Sequence, residues 1–348
     1  MELNDKQRPW RVRRHSVGSA QHDDVTIYQE DDEMSWVEIR QSTSKDVLLI
    51  CSSTLRSSLV LAYPLSPHAS KLWVGQAKFS SDEVVVTAEA GEGWPLMTVV
   101  ERRWNEIAVV DHFRAPAEHQ QHRFSSSRAA GQDQWVILLK AGSTSNGVIL
   151  VAPLMRPRER SLLVEHSDEV FLEDLAVYAN FVAVSGRQEG YQVVYVLTNS
   201  DLARCLMHAH ANGCSRREEQ AGDEAAAAAV VGGGRGGVGA PDDLNEPCMY
   251  RVRSSEEVFV MGLAPRPSDY ESRRLRFTYS SPICPTITCE CVIPECVPSG
   301  SGVGGEPVRQ SAQGGGGWSD EAHRQTPLLW LEMPGSKVFF SSNDSLFV

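Results

Sequence analysis

The sequence predicts an all-β fold, and three observations support this prediction. Short runs rich in β-branched and aromatic residues recur from Val25 to about Leu197. Clusters of Gly, Pro, Asn, Asp and Ser separate these runs, as expected of turns between strands. No stretch keeps apolar residues at helical spacing over about ten positions. Helix is therefore expected to be a minor component.

The predicted strands follow one another along the chain at short intervals. The first six are Val25–Tyr28, Trp36–Arg40, Val47–Ile50, Leu59–Tyr63, Val84–Thr87 and Trp135–Leu139. A hairpin is predicted over Leu175–Leu197, with strands at Ala176–Val184 and Tyr191–Val196 and a glycine-flanked tip at Gly186–Gly190. Strand-like sequence resumes between Tyr250 and Ile293.

Such hairpins recur roughly every 40 to 50 residues, which is the spacing of four-stranded blades. The pattern therefore predicts a partial β-propeller of four-stranded antiparallel blades, with a large β-sandwich as the alternative. We expect an incomplete propeller over residues 1–297, a low-complexity linker over 298–320 and a short hairpin-like tail over 321–348. The Ala- and Gly-rich stretch at about 215–243 is expected to be a disordered insert.

Composition and net charge limit the kinds of partner and the compartment expected for this protein. The net charge of −12 argues against nucleic acid and against an anionic membrane surface. No apolar run approaches the ~20 residues of a membrane span. The polar stretch Met1–Arg14 lacks the apolar centre of a signal peptide. We therefore expect a cytoplasmic protein with reduced cysteines.

Five stretches, taken in order, resemble the propeller of the prolyl oligopeptidase family in its oligopeptidase B branch. They are Trp10–Gly18, Gln41–Ile50, His122–Phe124, Val182–Gly190 and Leu275–Ser281. The resemblance begins at mid-propeller, so leading blades are expected to be missing. It implies a propeller that gates the access of short peptides to a hydrolase domain, which cuts after basic residues. A hydrolase domain or a peptide substrate would then be the partner.

The catalytic residues of that family are not expected in this chain. They lie in a hydrolase domain with a Gly-x-Ser-x-Gly elbow followed by Asp and His, and the sequence contains no such elbow. The residues after Ile293 are too few for a domain of about 200 residues. Asp111–His112 and His166–Asp168 are not expected to form a triad, because neighbours on a strand point to opposite faces. The chain is thus predicted to be inactive alone; the alternative is a degenerate propeller that serves as an interaction scaffold.

Two cysteine clusters are candidate metal sites, and no cofactor is predicted. Cys205, His208, His210 and Cys214 have side chains suited to zinc, but their spacing departs from paired Cys-x2-Cys knuckles, so we favour a loop. The second cluster comprises Cys284, Cys289, Cys291 and Cys296. For it we favour positions in the core of a blade, with Glu290 on the opposite face of the strand, over zinc and over disulfides.

The acidic run Glu30–Glu33 has two interpretations. It either forms a solvated turn between strands, which we favour, or attracts basic peptides at the rim of the propeller.

Overall fold

The computed structural model describes residues 1–66, 96–115, 133–198, 249–264, 269–293, 329–333 and 336–339. These residues form five antiparallel sheets. Their single helical element is a short 3-10 turn at Gln21–Asp23. The prediction of an all-β fold is confirmed.

Each sheet contains a run of consecutive strands, and this run is called a blade below. Blade I contains β1 (Glu2–Leu3), β2 (Pro9–Arg14) and β3 (Val25–Gln29). Blade II contains β4 (Trp36–Gln41), β5 (Val47–Ser53), β6 (Ser58–Pro64) and β7 (Met97–Val100). Blade III contains β8 (Glu106–Phe113), β9 (Gln134–Ala141), β10 (Thr144–Pro153) and β11 (Ser161–Val164).

Blades IV and V follow in the same way. Blade IV contains β12 (Val170–Val177), β13 (Phe181–Gln188), β14 (Tyr191–Thr198) and β15 (Tyr250–Ser254). Blade V contains β16 (Val260–Leu263), β17 (Arg274–Ser280) and β18 (Ile287–Val292). A last hairpin, β19 (Leu329–Met333) and β20 (Ser336–Phe339), adds to the outer edge of blade IV, where β19 pairs with β15.

The blades stack face to face, so each one buries its apolar side chains against the next. Val12 of blade I packs in one cluster with Val37 and Ile50 of blade II. A second cluster joins the other face of blade II to blade III, and a third joins blades III, IV and V. This arrangement of meandering antiparallel sheets is that of a partial β-propeller.

The first strands of the blades run in the same direction. Thr43, just after β4, is hydrogen-bonded to Asp111 near the end of β8, and Asp111 is hydrogen-bonded to Val177 at the end of β12. Because successive strands are antiparallel, the connecting loops fall on two sides of the molecule. We call the side where β4, β8 and β12 begin the start face, and the side where they end the end face.

The hairpin in blade IV differs from its prediction in two respects. The predicted strand Ala176–Val184 is broken, because the chain turns at residues 178–180 and the Tyr178 N–H donates to the Phe181 carbonyl at 2.9 Å. The tip consists of Glu189 and Gly190 alone, with φ of 55° and 84°. Two positive φ values in a two-residue loop match the twist of the flanking strands.

Several expected features lie outside the described residues. These are the predicted strand at Val84–Thr87, the insert at about 215–243 and the linker at 298–320. Within the described part of the chain, no helix is long and apolar enough to cross a membrane.

Candidate functional sites

A buried serine- and threonine-rich turn lies on the end face, between β4 and β5. The Ser42 N–H donates to the Val47 carbonyl at 2.9 Å, and the Val47 N–H donates to Ser42 Oγ at 3.2 Å. Thr43 and Ser44 are also buried. The turn is therefore fixed by its own hydrogen bonds, and its hydroxyl groups meet the neighbouring blade rather than solvent.

Asp111 links three blades through this turn. Its carboxylate accepts the Thr43 N–H at 3.0 Å, the Thr43 hydroxyl at 2.6 Å and the Val177 N–H at 2.8 Å. The residue is buried, so these donors replace the water that the charge has lost. One carboxylate on blade III thus holds both blade II and blade IV.

The neighbouring His112 completes a group whose residue types are those of a hydrolase triad. Its Nδ1 lies 2.7 Å from Ser44 Oγ, and its Nε2 lies 3.5 Å from Asp133 Oδ2. The side chain of His112 is 0% exposed, and Ser44 is only 4% exposed. A nucleophile needs space for a substrate carbonyl beside its oxygen, and such burial leaves none among the described residues. We interpret the group as structural, with a hydrogen bond between Ser44 Oγ and His112 Nδ1. Within the described residues His112 Nε2 has no hydrogen-bond partner, so the three side chains do not form a continuous relay.

A second polar cluster on the end face is centred on Arg114 and Tyr270. The Tyr270 hydroxyl accepts the Arg114 N–H and donates to the Arg114 carbonyl, both at 2.8 Å. The Arg114 guanidinium forms ion pairs with Asp46 of blade II at 3.2 Å and with Glu271 at 2.7 Å. The Ala179 N–H donates to the Tyr270 carbonyl at 3.0 Å. Burial raises the pKa of the Tyr270 phenol, which keeps its proton available for this bond.

A different network lies on the start face, around the buried Glu30. Its carboxylate accepts hydrogen bonds from Arg102 at 2.6 Å, from the Tyr28 hydroxyl at 2.7 Å and from the Ser52 hydroxyl. Burial alone would raise the pKa of Glu30, but the hydrogen bonds from Arg102, Ser52 and Tyr28 outweigh it and lower the pKa to about 2. Glu30 is therefore a charged anchor between blades I and II.

Beside Glu30, a polar cavity of about 230 Å³ opens on the start face. It is lined by Asn4, Arg8, Trp10, Glu30, Asp31, Asp32, Glu33 and Ser35. Much of the acidic run is already satisfied within the protein: Glu33 pairs with Lys6, and Asp32 accepts the Ser35 hydroxyl at 2.8 Å. These contacts agree with a turn between strands, but Glu30 is buried, so the expectation of a solvated turn is wrong for this residue.

The second cysteine cluster lies where the strand pattern predicts. Cys291 is buried and Cys289 packs against the same core, while Glu290 on the other face pairs with Arg274 and Arg276. Burial raises the pKa of the Cys289 thiol to about 11, and it also raises the pKa values of Cys284 and Cys291. The prediction of core positions is confirmed for these three cysteines; Cys296 lies outside the described residues.

The first cysteine cluster lies outside the described residues altogether. Cys205, His208, His210 and Cys214 all belong to this part of the chain, so their candidacy as metal ligands stays a prediction. Among the residues that the structure describes, no group of three or more His, Cys, Asp or Glu side chains is placed to hold a metal ion.

Sequence reasoning missed both polar networks of the end face. Asp133 and Tyr270 lie far along the chain from His112 and Arg114, and no local pattern pairs them. The serine-rich turn was visible in the sequence, but only as a turn. Its buried hydroxyl groups would have been recognised only with knowledge of the neighbouring blade.

The fold and the polar networks around Asp111, Arg114 and Glu30 together define the class of protein. It is a β-propeller whose blades are joined by buried polar contacts. The profile of the prolyl oligopeptidase N-terminal β-propeller domain matches residues 2–294, and the chain belongs to this family. The resemblance seen in the sequence is thereby confirmed. A search of curated protein sequences found no match.

Solved structures give the same fold. One neighbour is oligopeptidase B from Trypanosoma brucei with covalently bound antipain, with a TM-score of 0.55, 20% identity and 83% of this chain covered. Another is oligopeptidase B from Leishmania major, with a TM-score of 0.54, 19% identity and 83% of this chain covered. The chain spans about 30% of the length of each of these proteins.

Proposed function

We propose that this chain is the propeller part of an oligopeptidase B-like serine peptidase, where it gates a hydrolase domain that cuts short peptides after basic residues. The observation that carries the proposal is the family match over residues 2–294. The chain itself, which has no Gly-x-Ser-x-Gly elbow, is proposed to be inactive alone.

A propeller can act as a gate only if its blades hold their relative positions. The Asp111 contacts to blades II and IV and the Arg114–Tyr270 cluster both act across blades. A stiff assembly of blades excludes folded proteins by size and admits extended peptides. The polar networks therefore support steric selection, with the chemistry carried by another domain.

The test of inactivity uses the purified chain and a fluorogenic peptide that contains arginine. We expect no turnover and no covalent labelling by a serine-directed fluorophosphonate. Ser44→Ala is the matched control, since the structure places Ser44 Oγ 2.7 Å from His112 Nδ1. Labelling that this variant abolishes would show that Ser44 is a nucleophile and would overturn the proposal of inactivity.

The test of gating uses the chain joined to the hydrolase domain encoded at its own locus. We expect hydrolysis of short arginine-containing peptides but not of folded proteins, and loss of this size selection when residues 1–297 are removed. A complete locus that encodes no Gly-x-Ser-x-Gly elbow would contradict the proposal and favour an interaction scaffold.

We further propose a cytoplasmic location, without nucleic-acid or membrane partners. The net charge of −12 supports the second point. The four cysteines in the described residues are free thiols, as a reducing compartment would require. Cell fractionation tests the location, and recovery of the protein outside the cytosol would contradict it.

A further inference from the structure

An arginine-rich run leads directly into an exposed serine after β2. Arginines stand five, three and two positions before Ser16, at Arg11, Arg13 and Arg14. The apolar Val17 follows the serine. Arginines at fixed distances before a serine, with an apolar residue after it, form the charge pattern that arginine-directed protein kinases select.

The structure leaves Ser16 accessible in the loop between β2 and β3. Ser16 is exposed, and the side chain of Val17 beside it is fully exposed. The Ser16 carbonyl accepts the Ser19 N–H at 3.0 Å and the Ser19 hydroxyl at 2.7 Å. The Ser16 hydroxyl itself forms no hydrogen bond within the described residues. Surface loops of this kind are the segments that other proteins reach most readily.

The arginines of the run lie where an acidic kinase groove can reach them. Arg11 and Arg13 both pair with the Glu2 carboxylate, at 3.4 and 3.9 Å, and each forms one further side-chain hydrogen bond. Val12 between them packs against blade II, so the two arginines lie on the opposite side of β2. Partly exposed ion pairs of this type contribute little to stability, so several carboxylates of a kinase can replace them.

A second serine has the same arginine spacing but a different structural setting. Arg156 and Arg158 stand five and three positions before Ser161, and Leu162 follows it. Ser161 is the first residue of β11 and is paired with Val151 of β10. A serine held in a strand pair cannot enter the cleft of a kinase, which binds its substrate as an extended segment. The structure therefore separates two serines that the sequence pattern does not.

We propose that Ser16 is a phosphorylation site for an arginine-directed serine kinase, which recognises Arg11, Arg13 and Arg14. The inference is independent of the proposed function, because it rests on the β2–β3 loop and its arginines alone.

The modification is a phosphoryl transfer from a nucleoside triphosphate to Ser16 Oγ. The oxygen forms a bond to the γ-phosphorus, the bond from that phosphorus to the β–γ bridging oxygen breaks, and the nucleoside diphosphate leaves. The hydroxyl proton passes to the carboxylate base of the kinase. The product carries a charge of about −1.5 to −2 at neutral pH.

This charge is added where blades I and II meet on the end face. Arg14, two positions before Ser16, donates through Nη1 to the Tyr63 hydroxyl of blade II at 3.0 Å. Phosphorylation thus changes the electrostatics of an interblade contact, because the phosphate lies close along the chain to the cation that makes it.

The test incubates the purified full chain with ATP and active protein kinase B. This kinase is directed to serines with arginine five and three positions before them and an apolar residue after them, so Ser16 and Ser161 both meet its requirement. Synthetic peptides of residues 8–20 and 153–165 are treated in parallel. Mass spectrometry identifies the phosphorylated positions.

We expect both serines to be phosphorylated in the peptides, but in the folded chain Ser161 should be modified about tenfold less than Ser16, because it is held in a strand pair. Ser16→Ala should abolish phosphorylation of the loop. Ser19→Ala, in the same loop, is the matched control and should leave it unchanged. Combining Arg11→Gln with Arg13→Gln should lower the modification of Ser16 about tenfold, in the chain and in the peptide of residues 8–20 alike.

Three outcomes would overturn the inference. The first is a folded chain in which Ser16 stays unmodified, and the second is equal modification of Ser161 and Ser16 in that chain. The third is a Ser16 peptide, from protein isolated from its own cells with phosphatases inhibited, that carries no phosphate.

Discussion

Single buried polar residues hold the blades of this protein together. Asp111 and Glu30 are charged groups with little exposure, and each is surrounded by donors from another blade. Leaving such a group unpaired costs far more than the pair contributes when it is complete. The contacts therefore specify how the blades are placed relative to one another, in addition to the stability that comes from apolar packing.

Glu30 makes the stability of the protein dependent on acid pH. Its pKa of about 2 in the folded protein is lower than the ordinary value for a glutamate, so the unfolded chain binds more protons in the interval between them. The resulting stabilisation is fully present above the ordinary pKa and is lost as the pH falls toward 2. It amounts to at most roughly 3 kcal/mol.

The substitution Glu30→Gln removes this contribution. Urea denaturation from pH 7 to pH 2.5 should show a lower free energy of unfolding at neutral pH and a flatter decline in acid. Glu38→Gln, on an exposed side chain of β4, is the control and should leave the stability at pH 7 unchanged. If the free energy of unfolding of Glu30→Gln fell with decreasing pH as steeply as that of the unmodified protein, other carboxylates would govern the acid dependence.

At the scale of elements, the β12–β13 pair shows how close backbone approach selects a residue. A Cβ built on Gly186 would lie 2.5 Å from the Phe171 carbonyl oxygen of the paired strand. The register of the pair shifts between Leu172 and Asp174, close to this contact. Gly186 is therefore needed for strand pairing, whereas the turn of the hairpin is made by Glu189 and Gly190.

We expect Gly186→Ala to lower the free energy of unfolding by about 1–3 kcal/mol, because the backbone of β12 must move to admit the methyl group. Gly262→Ala in β16 is the matched control, since its Cβ would meet Thr278 Oγ1 at an ordinary 3.5 Å. Urea denaturation measures both variants. Equal stability of the two would mean that β12 adjusts without cost.

At the scale of the whole molecule, the Tyr270 segment joins blades that are not neighbours. Tyr270 and Glu271 precede β17 of blade V, yet they contact Arg114, which follows β8 of blade III. Lys45 of blade II also lies 3.8 Å from Asp269. This segment ties the blades together on the end face through hydrogen bonds and ion pairs.

Removal of one hydroxyl group tests this role. In Tyr270→Phe the N–H and the carbonyl of Arg114 both lose their partner, and we expect a loss of roughly 2 kcal/mol in the free energy of unfolding. Hydrogen exchange should also become faster in β16–β18. Tyr191→Phe is the control, because the Tyr191 hydroxyl has no hydrogen bond within the described residues. Unchanged exchange in blade V would contradict the role of Tyr270.

The local pattern of apolar residues was sufficient to predict the positions of most strands but not the residues at which they end. The runs Val47–Ile50 and Leu59–Tyr63 lie within β5 and β6, because alternating apolar side chains can be buried only in extended structure. Ala176–Val184 was wrongly joined into one strand. Its apolar alternation at Val177, Ala179 and Phe181 continues through the turn at residues 178–180, and all three side chains are buried, so the pattern gave no sign of the break.

The sequence by itself determined the fold class, the meandering order of the strands and the family, because these depend on local periodicity and on motifs met in order along the chain. Only the tertiary structure decided which polar residues meet. Ser44, His112 and Asp133 come together because parallel first strands bring separate blades to one face. The accessibility of Ser16 and the pairing of Ser161 within blade III were also decided there, since both depend on strand pairing and packing and not on local sequence.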